Sequence, residues 1–220
     1  MKEIDLNKIT YRTSKKEDAL EHWKACQETY QEASEFLPFF VGIENWSVPD
    51  HEKYLVKFAA DSQRVKNLLF FYENQIIGGG HLKPSDWNYS GELLYWVRSG
   101  WDGLGIGAFI AKTMLASAYT NFGYRHLIIQ TDRNNIGSQN VAKKLGAWVG
   151  LVYGYVDHRG IQSNMVVWVK ETPFVKIASR FRSDYGWDPI SPKSGGIYRV
   201  DHENKLANYM APDPERIRSK

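Results

Sequence analysis

Only one cysteine, Cys26, stands in this chain of 220 residues, so no intrachain disulfide can brace it. Its six histidines show no ligand-like pairing, which makes a structural zinc scaffold a poor fit and leaves no metal expected. Long apolar runs are missing as well. The longest uncharged ones, such as Asn67 to Tyr72, fall far short of the roughly 20 residues that a membrane span needs. The opening MKEIDLNKIT carries no apolar signal region, so the expected location is the cytoplasm, with no membrane partner. A surplus of one charge is absent too. Of 28 basic and 25 acidic residues, nine and six fall in 172–220, which leaves nineteen of each in the first 171. A duplex-binding face needs a clustered basic stripe; none is visible, and nucleic acid is not an expected partner.

What the chain does have is apolar bulk. Apolar residues make up 43% and aromatics 14%, enough for a sizeable core and too much for a disordered or fibrous chain. The size fits one large domain, or about 170 residues carrying an appendage.

Periodicity then orders the elements. Residues 14–37 predict an amphipathic helix, with Ser14 and Glu17 as a capping box and Leu20, Trp23, Cys26, Tyr30, Ala33 and Leu37 on its apolar face. A second helix is expected over 49–61. Strand-like runs at 67–72 and 75–82 meet at Glu73-Asn74, the signature of a hairpin, and Gly78, Gly79 and Gly80 suggest a bulge or a close backbone approach. Further strands are expected at 92–97, 125–131, 148–156 and 163–170, with helices at 105–122 and 138–145. The order predicts an α+β (mixed α/β) fold: a central, mostly antiparallel mixed sheet with helices packed on it. From Thr172 onward Pro, Gly, Ser and charge dominate, and only Phe174 to Tyr185 looks helical. We therefore divide the chain into a domain at 1–171 and an extension at 172–220 that wraps the body or mediates a homodimer.

The most informative stretch runs from Tyr95 to Phe109. A strand ends near Val97, and Gly103, Gly105 and Gly107 then open a helix. Glycines there let successive N–H groups converge on one point, and the helix N-terminus adds about half a positive charge, which suits a pyrophosphate. A tight turn without ligand is the plainer alternative. Gly103, Gly105 and Ala108 formally match the dinucleotide-binding G-x-G-x-x-G/A, with Asp132 as a ribose-binding acid. The residues from Arg98 to Asp102 intervene between strand and turn, however, and an antiparallel meander precedes it. A P-loop fails outright, because no Gly-Lys-Ser/Thr follows.

Two motifs together decide between these. Asp102-Gly-Leu-Gly105-Ile-Gly107 at the head of the long helix, then Asn135-Ile-Gly-Ser138 with Val141-Ala-Lys-Lys-Leu-Gly146-Ala147, resemble the signatures of the GNAT family of acyl-CoA-dependent N-acyltransferases, most closely its RimJ/RimL type. The resemblance spans roughly residues 8–170. Asp102 stands where the family has Arg or Gln, and Ala147 where it has Phe. The resemblance implies a sheet splayed between the strands that flank acetyl-CoA. It implies that the turn of Gly103, Leu104, Gly105, Ile106, Gly107 and Ala108 binds the cofactor, with amides from Leu104 to Phe109 holding the pyrophosphate. A backbone donor near Trp96, Val97 and Arg98 polarises the acyl carbonyl, and Asn135 anchors the pantetheine arm or the turn itself.

The implied reaction is direct acetyl transfer to a primary amine, either a peptide N-terminus or a small molecule, with no metal. An α-amino group is neutral in roughly a tenth of molecules at pH 7, a lysine amine in only about one in 2,500, so a base matters more for the second. Glu92, Asp157 and His158 are candidates to relay that proton. By resemblance Ser138 hydrogen-bonds or protonates the departing thiolate, with Tyr153 or Tyr155 as substitutes; helix capping is its structural alternative. Lys143 and Lys144 meet phosphates or only solvent. Phe36 to Phe40 and Trp46 suggest an aromatic-lined acceptor cleft. The rival function is a non-catalytic acyl-CoA-binding or interaction module.

Overall fold

A computed structural model describes residues 4–60, 65–87 and 89–172. The expected helix at 174–185 and the whole 172–220 extension beyond Thr172 lie outside the described residues. Seven strands form one sheet in the order β1-β2-β3-β4-β5-β7-β6. They are β1 (Thr10–Arg12), β2 (Lys66–Tyr72), β3 (Gln75–Pro84), β4 (Ser90–Val97), β5 (His126–Asp132), β6 (Trp148–Val156) and β7 (Gln162–Glu171). Every neighbouring pair is antiparallel except β4 and β5, which run parallel.

Four helices cover the two faces: α1 (Ala19–Ala33), α2 (Val48–Ala60), α3 (Ile106–Phe122) and α4 (Ile136–Lys144). On one face α3 buries Ile106, Ile110, Met114 and Ala118 against Leu68, Phe70, Leu82, Leu93, Leu127 and Ile129. On the other, α1 and α2 bury Ala25, Cys26 and Leu55 with Phe40 and Ile43 against Leu69, Phe71 and Trp96. Alternation along each strand supplies both layers, since successive side chains point to opposite faces.

The start of the first helix departs from expectation. Ser14 is buried and donates its Oγ hydrogen to the Leu55 carbonyl at 3.3 Å, so it caps nothing. No side chain caps α1; Asp18 instead braces the turn before it, its carboxylate accepting from the Lys15 amide at 2.7 Å and from the two terminal Arg12 nitrogens at 2.6 Å. With the helix starting at Ala19, the buried stripe becomes Ala19, His22, Ala25, Cys26 and Thr29, and Leu20 is left 53% exposed. The helix ends at Ala33; Pro38 disfavours helical backbone at Leu37, which enters a 3-10 turn instead.

The β2–β3 hairpin is as the sequence predicts. Glu73 and Asn74 both take positive φ, 48° and 66°, the left-handed pair of a two-residue turn. The three glycines that follow serve close approach. A Cβ at Gly78 would sit 2.5 Å from the Trp96 carbonyl oxygen, and one at Gly80 would sit 2.9 Å from Met114 Cγ. The register also slips by one between Phe70 and Phe71, a bulge beside these glycines.

Two predictions follow from this packing. Gly78→Ala pushes a methyl into the backbone of β4 and lowers stability by about 1–3 kcal/mol in urea unfolding; an unchanged midpoint would refute the close-approach account. The second concerns His22 and His51, both buried, whose pKa values are lowered, by desolvation in each case and for His22 next by the neighbouring imidazole. A group with a depressed folded pKa that is neutral when folded binds protons preferentially in the unfolded chain below its ordinary value near 6.5. Stability therefore declines from about pH 6.5 down to pH 5, where carboxylates are still ionised, and His51→Gln flattens the decline. Urea midpoints that stay level across this range would exclude a buried neutral pair.

Candidate active site

The site begins where a pairing stops. β4 and β5 are matched only at Ser90–His126, Gly91–Leu127 and Glu92–Ile128, yet β4 runs on to Val97 and β5 to Asp132. The two strands part, leaving a cleft with sheet backbone on its walls. The Arg98 amide donates to the Ile77 carbonyl at 2.9 Å, and strand alternation then turns the Trp96 and Arg98 amides toward β3 and the Tyr95 and Val97 amides toward the cleft. Trp96 and Arg98 are thus corrected as carbonyl-polarising donors, because their N–H groups belong to the sheet. The Val97 and Tyr95 amides are the ones that face the cleft.

Arg98 has a different task. Its guanidinium, 7% exposed, holds Glu28 with two bonds of 2.7 and 2.8 Å, Glu21 at 2.7 Å and the Ile76 carbonyl at 3.0 Å. That ties the end of β4 to α1. The loop beyond is pinned the same way: the Ser99 amide donates to Thr29 Oγ1 at 3.1 Å, the Ser99 hydroxyl to Glu32 at 2.7 Å, and Trp101 is buried in the α3-side core.

The head of α3 fits an anion. Gly103 and Gly105 take φ of 74° and 84°, values that side chains other than glycine's rarely adopt. Gly105 caps the helix without any side-chain hydrogen bond, and a Cβ placed at Gly103 would meet nothing within 4 Å. Amides of Ile106, Gly107 and Ala108 in this first turn have no intrahelical acceptor. Ile106 buries its side chain in the core while Leu104 is half-buried beside the turn. Asp102 is exposed next to them. Its carboxyl is raised above the usual range, by desolvation first and by the charge of Glu32 second.

Across the cleft, Asn135 caps α4 by accepting the Ser138 amide at 2.9 Å, which frees Ser138 from the capping role. The Ser138 hydroxyl instead accepts from Tyr95 Oη at 3.0 Å, joining β4 to the helix that follows β5. Burial pushes the Tyr95 phenol up to about 12, although its bond to Ser138 pulls the other way. Tyr95 escaped the sequence reading; its place two residues before Val97, on the α3 side of β4, was the available signal.

The base candidates separate. Glu92, the last residue of β4 paired with β5, meets Lys83 at 3.0 Å and accepts from Gln130 at 3.1 Å, and Gln130 in turn accepts from Tyr153 at 2.9 Å. Tyr155 donates to Asp132 at 2.5 Å. Asp157 sits in the β6–β7 turn. Burial would raise its pKa, but the amides of Ile161 and Arg159 and the Arg159 guanidinium hold it below the usual range. A carboxylate so saturated is a weak base, which corrects Asp157 to a turn-organising role. His158 is exposed in that turn, and Lys143 and Lys144 are exposed on α4, Lys143 with its ammonium 5.9 Å from the Trp168 ring.

On the α1–α2 side, a cavity of about 200 Å³ runs beside β4, walled by Leu37, Phe39, Tyr54, Phe58, Leu94 and Trp96, with His22 and His81 among its polar groups. Phe39 of the predicted aromatic segment lines it; Phe40 is core, and Trp46 packs on Tyr54 and His51 instead. Among the described residues no helix is long and apolar enough to cross a membrane.

Solved structures share this architecture. RimL, a ribosomal-protein α-N-acetyltransferase in complex with coenzyme A, is 13% identical, with 76% of this chain and 96% of that one covered at a TM-score of 0.69. RimJ of Mycobacterium smegmatis, in complex with CoA-disulfide, is 14% identical over 79% and 90%, at 0.67. A microcin self-immunity acetyltransferase, MccE, in complex with acetyl-CoA and AMP, is 17% identical over 75% and 93%, at 0.66. Identities this low carry the fold alone, and no curated protein matches the chain. Residues 6–147 match the acetyltransferase (GNAT) domain family. That match runs from before β1 to beyond α4, so it takes in both walls of the cleft and the loop between them: the chain belongs to the GNAT family of N-acetyltransferases.

Proposed function

We propose that this enzyme, whose catalytic unit is 1–171, transfers an acetyl group from acetyl-CoA to a primary amine, a protein N-terminus or a small molecule, by direct attack. The observation that carries the reading is the Tyr95–Ser138 hydrogen bond beside an opened β4–β5 cleft. Acetyl-CoA supplies a thioester acyl group; the chain supplies everything else. Amides from Leu104 to Ala108 and the dipole of α3 hold the pyrophosphate. The Val97 or Tyr95 amide donates to the acyl oxygen as charge develops there.

Because Tyr95 donates to Ser138, the serine's own hydrogen is free to point at the sulfur. A full proton transfer from Tyr95 is disfavoured. With a phenol near 12 and a cysteine-like thiol near 8.5, it would cost about 5 kcal/mol. Ser138 therefore stabilises the departing thiolate by hydrogen bonding, and the attacking amine's surplus proton leaves through water to Glu92. The aromatic cavity on the α1–α2 side receives the acceptor, and RimL, an α-N-protein acetyltransferase of a ribosomal protein, supports a peptide among the candidates. A cytoplasmic location and dimerisation through 172–220 belong to the same proposal.

The primary test is thiol release from acetyl-CoA across peptides, amino acids, polyamines and aminoglycosides. Release must depend on an amine, and wild-type protein that neither binds acetyl-CoA nor is stabilised by it would end the proposal. Ser138→Ala lowers kcat about 100-fold with the acetyl-CoA KM nearly unchanged, and Tyr95→Phe lowers it about 10-fold. Equal rates for Ser138→Ala and wild type would remove the serine from the chemistry. Glu92→Gln lowers kcat/KM about 100-fold at pH 7, and the deficit shrinks toward pH 9 as the amine deprotonates unaided. A deficit independent of pH would mean that Glu92 is structural.

A further inference from the structure

Three buried side chains with metal-ligating atoms meet between α1 and α2. His22 and Cys26 are four residues apart on α1 and share one side of it, and His51 reaches across from near the start of α2. Their exposures are 1%, 0% and 0%. One ligand atom from each lies within 4.8 Å of those of the other two. The two Nδ1 atoms are 2.7 Å apart, and Cys26 Sγ is 3.7 and 3.8 Å from the two ring nitrogens of His22. One imidazole can donate to the other along that line, but whichever does so, His51 Nε2 stays buried without a partner.

We propose that His22, Cys26 and His51 form a three-coordinate site for a soft d10 cation, and that its ion is Cu⁺. With metal–nitrogen bonds of about 2.0 Å and a metal–sulfur bond of about 2.3 Å, a trigonal site sets nitrogen and sulfur about 3.7 Å apart and the two nitrogens about 3.5 Å apart. The spacing from Cys26 Sγ to His22 is already met, and a His51 ring nitrogen lies within 4.8 Å of it. The imidazoles part by about 0.8 Å, exchanging their hydrogen bond for the ion. Imidazole and thiolate together select copper or zinc.

Charge separates those two. On binding, the Cys26 S–H bond breaks and its proton leaves to solvent, so the thiolate brings one negative charge. With Cu⁺ the site is neutral; with Zn²⁺ a net positive charge stays among the rings of Tyr54, Trp96 and Trp46, which lie 5.8 and 6.0 Å from His22 and 5.4 Å from His51. An apolar box penalises that residue of charge. His22 also lines the cavity beside β4, which gives the ion a way in.

The test delivers Cu⁺ anaerobically to the full chain against a competing Cu⁺ chelator. One ion per chain is expected, with about one proton released and a higher Tm. Cys26 is the only cysteine, so its modification rate in mild denaturant reports occupancy and should fall about 10-fold. Cys26→Ser and His51→Gln each weaken binding by about 100-fold. X-ray absorption on the loaded wild type should show one sulfur and two nitrogens, and it decides the matter if the variants fail to fold. Absence of stoichiometric binding, a different ligand shell, unaltered binding in folded variants, or tighter binding of Zn²⁺ than Cu⁺ would each overturn the proposal.

Discussion

Three shared residue pairs, and then none, between the only two neighbouring strands that run parallel among the described residues set the shape of the cleft. Had β4 and β5 stayed paired to their ends, the Tyr95 and Val97 amides would have gone into the sheet and no cleft would exist. Parting them exposes backbone that must find partners elsewhere. A ligand with an acyl oxygen and an amide-rich arm is the natural partner. The flanking layers hold the two strands apart: Gly107 approaches Val141 of α4 and Tyr95 of β4 closely enough that a Cβ would lie 3.2 and 3.3 Å away.

Keeping such a cleft open requires rigid walls, and Arg98 supplies one of them. It sits where β4 ends, at the point where a strand freed from its neighbour would fray. By engaging Glu28, Glu21 and the Ile76 carbonyl at once, it fastens that end to α1 and to β3 together. Its two carboxylate partners are 29% and 53% exposed, so water screens part of the attraction. The geometric effect is larger than the energetic one. The loop carrying Gly103 and Gly105 starts from a fixed point, and Trp101 holds its far side in the core.

Much of this was legible in the sequence because it rests on local rules. The Glu73-Asn74 turn, the strands expected at 148–156 and 163–170 and the glycine-opened helix each follow from periodicity or from backbone freedom at named residues, and the last strand extends one residue further at each end, to Gln162–Glu171. What stayed hidden depends on contacts far apart in the chain. Ser14 looked like a cap, and only the arrival of Leu55, 41 residues later, makes it a buried donor to that carbonyl. Asp157 looked like a base until the hairpin amides closed on it. Glu92, by contrast, lies at the crotch of the cleft where its place on the central strand put it. His22 and His51 are 29 residues apart, and no spacing rule joins them.

The same distinction resolves the oddest residue of the site. Asp102 replaces a cation or amide found elsewhere in the family, and a negative charge beside a diphosphate is unfavourable in isolation. The backbone of Gly100 and of Asp102 itself lowers its pKa, against the larger effect of desolvation. Desolvation and Glu32 raise its proton affinity, which softens its charge when an anion approaches. The anion then rests on amides and a helix dipole, not on side-chain cations. Amide donors at fixed positions discriminate by shape where free lysines discriminate only by charge. Under the proposed function, that favours a pyrophosphate held at one register along the cleft, which in turn would fix where the acyl group lies relative to Val97 and Ser138.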